Sequence, residues 1–396
     1  MIIKLAWRNI VFKPLNTFLS ILLLTSSITI MTLLILLEKQ FEEQFSSNAD
    51  DIDLVLGAQG SPLQLVLSSV YQIDTPTGNI NYDSAKVWMK HPFVQKAIPL
   101  AFGDNYDSYK IVGTTGDYLK KFDAQFIEGK EFLADFEVVV GSTVAQKKNL
   151  KIGSTFYSIH GDAKEGEKHE TKPFKVVGVL QPTGKMIDNL IMCSIKSVWN
   201  VHEEISDEEH HYNHSREITS VLLKFRNKMA IMMWPRMIAS NTKMQAVSPA
   251  IEINRLFTLF GVGIKALSYL GYGIMLISGL SIFIMLYNRL KERKYEFALL
   301  RLQGATKNQL ILLVLLESIF LCIVGFCFGT IIGRFALQII SKLSEEDLKM
   351  IFDPFEVIWE KEGALLSVTL LLGVISALIP AFKAYKMNLS KTLANA

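Results

Sequence analysis

This sequence has little cysteine, no nucleotide-binding loop, and almost no charge over four long stretches. Its three cysteines, Cys193, Cys322 and Cys327, include no CxxC pair. That excludes an internal disulfide framework around Cys193 and a thiolate zinc site of that spacing. No GxxxxGK(S/T) segment occurs, so these residues offer no loop of that kind to cradle ATP phosphates. No basic stripe with interleaved aromatics addresses nucleic acid. No Ser/His/Asp or Cys/His set and no pair of carboxylates is placed by motif, so nothing here specifies an enzyme. Charge is absent from residues 14–37, 266–288 and 363–382, and residues 308–333 carry a single one, Glu317. A helix of about 20 apolar residues crosses a bilayer, so all four stretches are long enough to do so.

Half of the 396 residues are apolar and the net charge is +3, but the placement of charge says more than its sum. Basic residues gather before the first run (Lys4, Arg8, Lys13), between the second and third, and after the fourth (Lys383, Lys386, Lys391). The segment 341–362 holds seven acids and three lysines. By the positive-inside rule, both termini and residues 289–308 are cytoplasmic, and the large domain and the acidic loop lie outside. The working localisation is a bacterial inner membrane with a periplasmic domain. The first run is too long for a signal-peptide core and lacks a small-residue cleavage site, so it is expected to stay as an anchor. The expected division is 1–37, amphipathic helix and first span; 38–262, extracytoplasmic domain; 263–288, second span; 289–308, cytoplasmic coupling loop. Residues 309–337 and 363–383 form the third and fourth spans, 338–362 a short outer loop, and 384–396 a tail.

The segment Asn288–Gln309, NRLKERKYEFALLRLQGATKNQ, carries six Lys/Arg against Glu292 and Glu296. Phe297, Leu299, Leu300 and Leu302 crowd one patch of a short helix, Gly304 stops it, and Thr306 with Gln309 forms a capping box for the next. Residues 2–13 read as an amphipathic helix, or as a basic flank that merely orients the first span. The first span's Ser and Thr residues suit helix packing in lipid. The outer domain alternates strands and helices. DIDLVLGA (51–58), SYKIVGTTGDYL (108–119), FEVVVGSTVAQ (136–146), STFYSIHG (154–161) and FKVVGVLQ (174–181) read as β-branched runs. Helices are expected at Pro62–Tyr71, capped by Ser61, and after Asp83 up to His91. The fold class is therefore four membrane helices plus a large α+β extracytoplasmic domain.

Three constellations stand out. Gly325, Gly329 and Gly333 recur at spacing four, a face on which another helix approaches closely, within the protomer or at a dimer seam. Glu317 sits inside the third span, where an ionisable group faces protein or water. A basic partner near the coupling loop, backbone amides, or a proton-relay role would each account for it. Arg334, at the outer end, can snorkel. Residues 202–214, HEEISDEEHHYNH, gather His202, His210, His211 and His214 with five acids. That is either a hydrophilic loop or a zinc or copper site.

Several blocks resemble the MacB-like and FtsX-like permeases: KIVGTTGDYLKKFDAQFIEGKEF, EVVVGSTVAQKKNLKIGSTF and PFKVVGVLQPTG, then YEFALLRLQGATKNQLILLVLLE and IPAFKAYKMNLSKTLA. Glu296, Leu300, Arg301, Gly304, Ala305 and Glu317 stand at matching positions, and Asn388-Leu389 replaces a common proline. The resemblance implies a type VII ABC transporter permease with a MacB-like periplasmic domain, laid out like the stand-alone and lipoprotein-releasing members. Its partners would be a cytoplasmic ATPase dimer, which carries ATP and magnesium, and a second permease chain, identical or paralogous. A periplasmic adaptor or substrate-binding protein and membrane lipids are further expected partners; nucleic acid is not. Glu296, Leu299, Leu300, Arg301 and Gly304 would couple to the ATPase by mechanotransmission. The cargo would be a lipid, lipoprotein, peptide or small molecule. Alternatives are an FtsX-like regulator of a cell-wall hydrolase and a zinc-linked transporter or sensor. The stretch 54–78 matches none of the better-known members.

Overall fold

The computed structural model describes residues 5, 6, 8, 9, 14–160, 172–202, 216–347 and 352–386. In chain order its helices are α1 (Pro14–Ala49), α2 (Pro62–Val66), α3 (Tyr82–Met89), α4 (Gly116–Lys121), α5 (Ser142–Lys148) and α6 (Ile195–His202). They continue as α7 (Met229–Asn241), α8 (Pro249–Glu292), α9 (Lys294–Leu302), α10 (Lys307–Asp347) and α11 (Trp359–Tyr385). The strands are β1 (Leu54–Ala58), β2 (Ile80–Asn81), β3 (Val94–Tyr106), β4 (Tyr109–Thr114), β5 (Phe126–Gly129), β6 (Glu137–Val140) and β7 (Thr155–Phe156). After them come β8 (Ile159–His160), β9 (Phe174–Leu180), β10 (Ile191–Ser194), β11 (Glu217–Ile218), β12 (Ser220–Phe225) and β13 (Met244–Val247). Two compact units result: Met1–Phe41 with Leu259–Ser344 and Phe352–Ala396, and Glu42–Thr258 with Glu345–Ile351.

The first unit is a helix bundle. α1, α8, α10 and α11 are the four helices long and apolar enough to cross a membrane among the described residues. They outrun their charge-free cores because the flanking Glu, Gln and Lys residues are good helix formers. α10 in particular continues to Asp347, well past the expected loop start at 338. The three glycines of α10 lie against α1. A Cβ added to Gly325 would meet Leu24 at 2.7 Å, and one on Gly329 would meet Ile28 Cβ at 2.6 Å. One on Gly333 would meet the Thr29 carbonyl and Thr32 Cβ at 3.1 Å. Thr29 Oγ1 also donates to the Gly329 carbonyl at 3.2 Å. On α8, Ser27 reaches the Gly271 carbonyl at 2.8 Å and Ser20 pairs with Ser281 at 2.9 Å. Arg334 donates to the Pro354 and Glu356 carbonyls and pairs with Glu362 at 2.5 Å.

The second unit is α+β around a mixed sheet ordered β13-β1-β12-β3-β4-β10-β6-β9-β5, with β7 on β9 and β8 on β3. The 13-residue β3 pairs with β12 up to Leu100 and with β4 from Ala101, and its register shifts between Ala101 and Asp104. It therefore belongs to both halves of the sheet. β4 with β10 and β6 with β9 run parallel, bridged by helices that cover a core of Val, Ile and Phe. The cap of α3 is Asn81, whose side chain accepts from Ser84 N, while the expected cap Asp83 sits in the first turn. The expected helix from Pro62 begins as read, with Ser61 capping, but its end Leu67–Tyr71 widens into a π-helical turn. Tyr71 from that turn donates to the Phe45 carbonyl of α1 at 2.7 Å. Asn48 of α1 accepts from Met186 N at 3.0 Å, and Lys121 donates to the Asn48 carbonyl at 2.7 Å. Tyr71, from the stretch 54–78, thus helps to anchor the end of α1 within this unit.

Candidate functional site

The connection from α8 to α10 is built by local rules. α8 stops at Glu292, Arg293 caps α9, and Arg293 pairs with Glu296 in the first turn. α9 ends in a Schellman motif: Gly304 N bonds the Arg301 carbonyl at 3.2 Å and Ala305 N the Leu300 carbonyl at 3.0 Å. The left-handed φ of +97° at Gly304 is what makes glycine the fitting residue there. Thr306 N then bonds Gln309 Oε1 at 2.8 Å while Gln309 N bonds Thr306 Oγ1 at 3.3 Å, a reciprocal box that starts α10.

α9 has two faces. Phe297 and Ala298 are buried in the bundle core, and Leu300 packs against it. Tyr295, Leu299 and Leu302, spaced i, i+4, i+7, share the opposite side and are 49%, 38% and 60% exposed. The single apolar patch expected from the sequence is therefore divided. Leu300 is turned inward, and Tyr295, which the sequence reading passed over, joins Leu299 and Leu302 outside. Glu296 is exposed beside this face, with Arg301 between the two sides.

Behind α9 lies a buried polar network. Glu317 of α10 is 4% exposed and accepts from Asn9 Nδ2 at 2.5 Å. Its partner is thus an amide of the N-terminal segment, which none of the sequence alternatives named. Arg289 at the end of α8 is buried too, and its guanidinium donates to Thr17 Oγ1 of α1 at 2.5 Å. Three stretches far apart in sequence meet here in one bundle: the N-terminal residues Asn9 and Thr17, Arg289 of α8 and Glu317 of α10. Ser318, next in line, ties α10 to α11 through the Gly373 carbonyl at 2.7 Å. No local signal joins Asn9 to a residue 308 positions away.

The side chain of His202, and His210, His211 and His214, lie outside the described residues. Among the described residues no group of three His, Cys, Asp or Glu side chains is placed to hold a metal. Cys193 is buried between β4 and β6, and burial pushes its thiol well above the ordinary range.

Comparison with known families decides the identity. The MacB-like periplasmic core domain matches residues 16–246, and the FtsX-like permease C-terminal region matches residues 269–389. The chain belongs to the FtsX/MacB-like ABC transporter permeases. A curated relative is an uncharacterized ABC transporter permease of Methanocaldococcus jannaschii. It is 24% identical over 234 residues, which take in 57% of this chain and 56% of that protein. The permease thus spans about half the length of the curated relative it matches. Among solved structures, the periplasmic region of MacB from Actinobacillus actinomycetemcomitans is 13% identical with a TM-score of 0.36, over 54% of this chain and 96% of that one. The extracellular domain of a noncanonic ABC-type transporter from Gram-positive bacteria is 12% identical with a TM-score of 0.31, over 49% and 99%. In this permease the FtsX-like match contains α9, Glu317 and the three glycines, and the MacB-like match contains the sheet up to Ala246 of β13.

Proposed function

We propose that this permease works by mechanotransmission. A separate ATPase subunit binds α9 from the cytoplasm, and its nucleotide-driven movement passes through the bundle into the outer domain. The observation that carries the reading is the two-sided α9, whose inner face is locked into the bundle core while Tyr295, Leu299 and Leu302 face outward as an apolar anchor rimmed by charge. Further support comes from α1 and α8, which each contribute residues to both compact units without a break in the helix. In this reading both termini are cytoplasmic and the outer domain is periplasmic. ATP and magnesium reside on the partner, and a second permease chain, identical or paralogous, completes the complex. The outer domain then handles a lipid, lipoprotein, peptide or small-molecule cargo, with or without a periplasmic partner protein.

The test is purification of the tagged full chain from its native membranes, with the co-purifying ATPase subunit quantified by mass spectrometry. Leu299→Asp with Leu302→Asp removes two exposed apolar anchors and is expected to weaken that capture at least about a hundredfold, with membrane insertion intact. ATPase capture at the wild-type level refutes the docking role of α9. Cysteine labelling that puts Lys294 and Lys90 on the same side of the membrane refutes the topology.

A further inference from the structure

We propose that the end of the bundle carrying α9 holds a site for the phosphate headgroup of an anionic phospholipid. Its core is Lys383 and Tyr287, with Lys291 one helical turn beyond Tyr287 on α8 and Lys294 at the start of α9. The depth follows from the sequence. Tyr287 stands one residue before the end of the charge-free run 266–288, and Lys383 one residue after the run that ends at 382. Both are therefore placed where hydrocarbon gives way to headgroups.

The structure brings these helix ends together. Lys383 Nζ of α11 donates to the Tyr287 hydroxyl of α8 at 2.6 Å and lies 4.3 Å from the centre of its ring. Lys291 stands i+4 from Tyr287 on α8, and Lys294 opens α9 immediately after that helix ends. Among the described residues, none of these three lysines has a carboxylate within ion-pair distance. The acids of this end are directed elsewhere: Glu296 pairs with Arg293, Glu317 accepts from Asn9, and Glu292 acts on Arg289.

Lys383 thus spends its ammonium on a phenol and on a ring face, a weak partner that an anionic oxygen would outcompete. A phosphodiester satisfies several lysines at once as point charges, while Tyr287 keeps a hydroxyl to offer it. Free phosphate shares that chemistry, but one turn deeper on the same faces stand Ile284 and Ile379, both exposed. They offer an apolar bed for acyl chains directly beneath the cations. The ligand is therefore assigned as a membrane lipid. The assignment depends on the spans and not on the docking role of α9.

The test uses the full chain in nanodiscs of phosphatidylcholine alone or mixed with phosphatidylglycerol, with native mass spectrometry of lipids retained after transfer to detergent. The wild type is expected to keep phosphatidylglycerol in preference to phosphatidylcholine. Lys291→Gln with Lys383→Gln is expected to lower that retention roughly thirtyfold, at about fivefold per lysine near an anionic surface. Tyr287→Phe, which leaves charge and packing in place, gives a smaller loss and answers the question if the double variant does not fold. A control pair in the outer domain, Lys90→Gln with Lys243→Gln, is expected to change nothing. Unchanged retention in both site variants, or an equal loss in the control pair, overturns the site. Saturable binding of inorganic phosphate to the protein in phosphatidylcholine discs, abolished by the same lysine changes, reassigns it to free phosphate and overturns the lipid.

Discussion

Gly329→Ala on the seam between α1 and α10 offers the sharpest test of how this bundle is packed. The added methyl would stand 2.6 Å from Ile28 Cβ and 2.6 Å from Ile28 Cγ2, with the Thr25 carbonyl at 3.1 Å. A Cβ does not swing aside as a side-chain tip does, so the two helix axes must part. Overpacking of this kind costs about 1–3 kcal/mol, offset by about 0.5–1 kcal/mol from replacing glycine inside a helix. A net loss of about 1–2 kcal/mol is expected. Gly363→Ala in α11 makes the same chemical change with nothing within 4 Å, so it is expected to gain up to about 1 kcal/mol. The pair of signs is the readout, measured by unfolding the purified chain in mixed micelles and following tryptophan fluorescence. Rescue is equally specific. In a double-mutant cycle, Ile28→Ala removes Cγ2 but keeps Cβ and should relieve the clash only in part, whereas Ile28→Gly removes both and should relieve most of it. If Gly329→Ala stabilises as Gly363→Ala does, or if Ile28→Ala rescues as well as Ile28→Gly, the seam is not an axis-to-axis contact.

Other perturbations reach other parts of the chain. Glu317→Ala strips the Asn9 side-chain amide of its buried acceptor and is expected to destabilise the bundle by about 1–3 kcal/mol. Glu317→Gln retains an acceptor for Asn9 and should lose clearly less in the same unfolding assay; equal losses would contradict the network. Asn48→Ala strips the Met186 amide of its acceptor and should lower outer-domain stability by about 1–3 kcal/mol; hydrogen exchange at Met186 that stays at its wild-type rate would argue against the anchor. Burial, helped by Lys185, pulls Lys121 from 10.5 down to about 8. Its folded value lies below the unfolded one, so between about pH 8 and 10.5 the unfolded chain binds more protons and stability rises with pH. The wild type should accordingly gain on Lys121→Met across that window in denaturant titrations, and a constant gap between them would exclude the shift.

Local chemistry explains what could be read in advance. Charge-free runs expose span helices because the bilayer penalises each unpaired charge on its own. Gly304 and the Thr306–Gln309 box were equally legible, since helix ends are decided within a few residues. The faces of α9 were not. Phe297, Leu299, Leu300 and Leu302 look like one patch in sequence, but at about 100° per residue Leu299 and Leu302 point away from Phe297. Which side is buried depends on the rest of the bundle. β3 escaped notice because Pro99 and Gly103 argue against a central strand. Asn9 as the donor to Glu317 escaped notice because nothing between them in sequence marks the encounter.

The shared strand β3 has a mechanical consequence. Its last pairing with β12 is at Leu100 and, after Ala101, its pairing with β4 resumes at Asp104, leaving Phe102 and Gly103 outside both registers. Phe102 is steadied there by the Thr219 hydroxyl at 3.0 Å, and Gly103 has no side chain to resist rotation. A leaf spring clamped at both ends flexes where it is thinnest, and here that place is fixed by residue count. Tilt between the two half-sheets would be concentrated at these two residues, with the ladders on either side left whole.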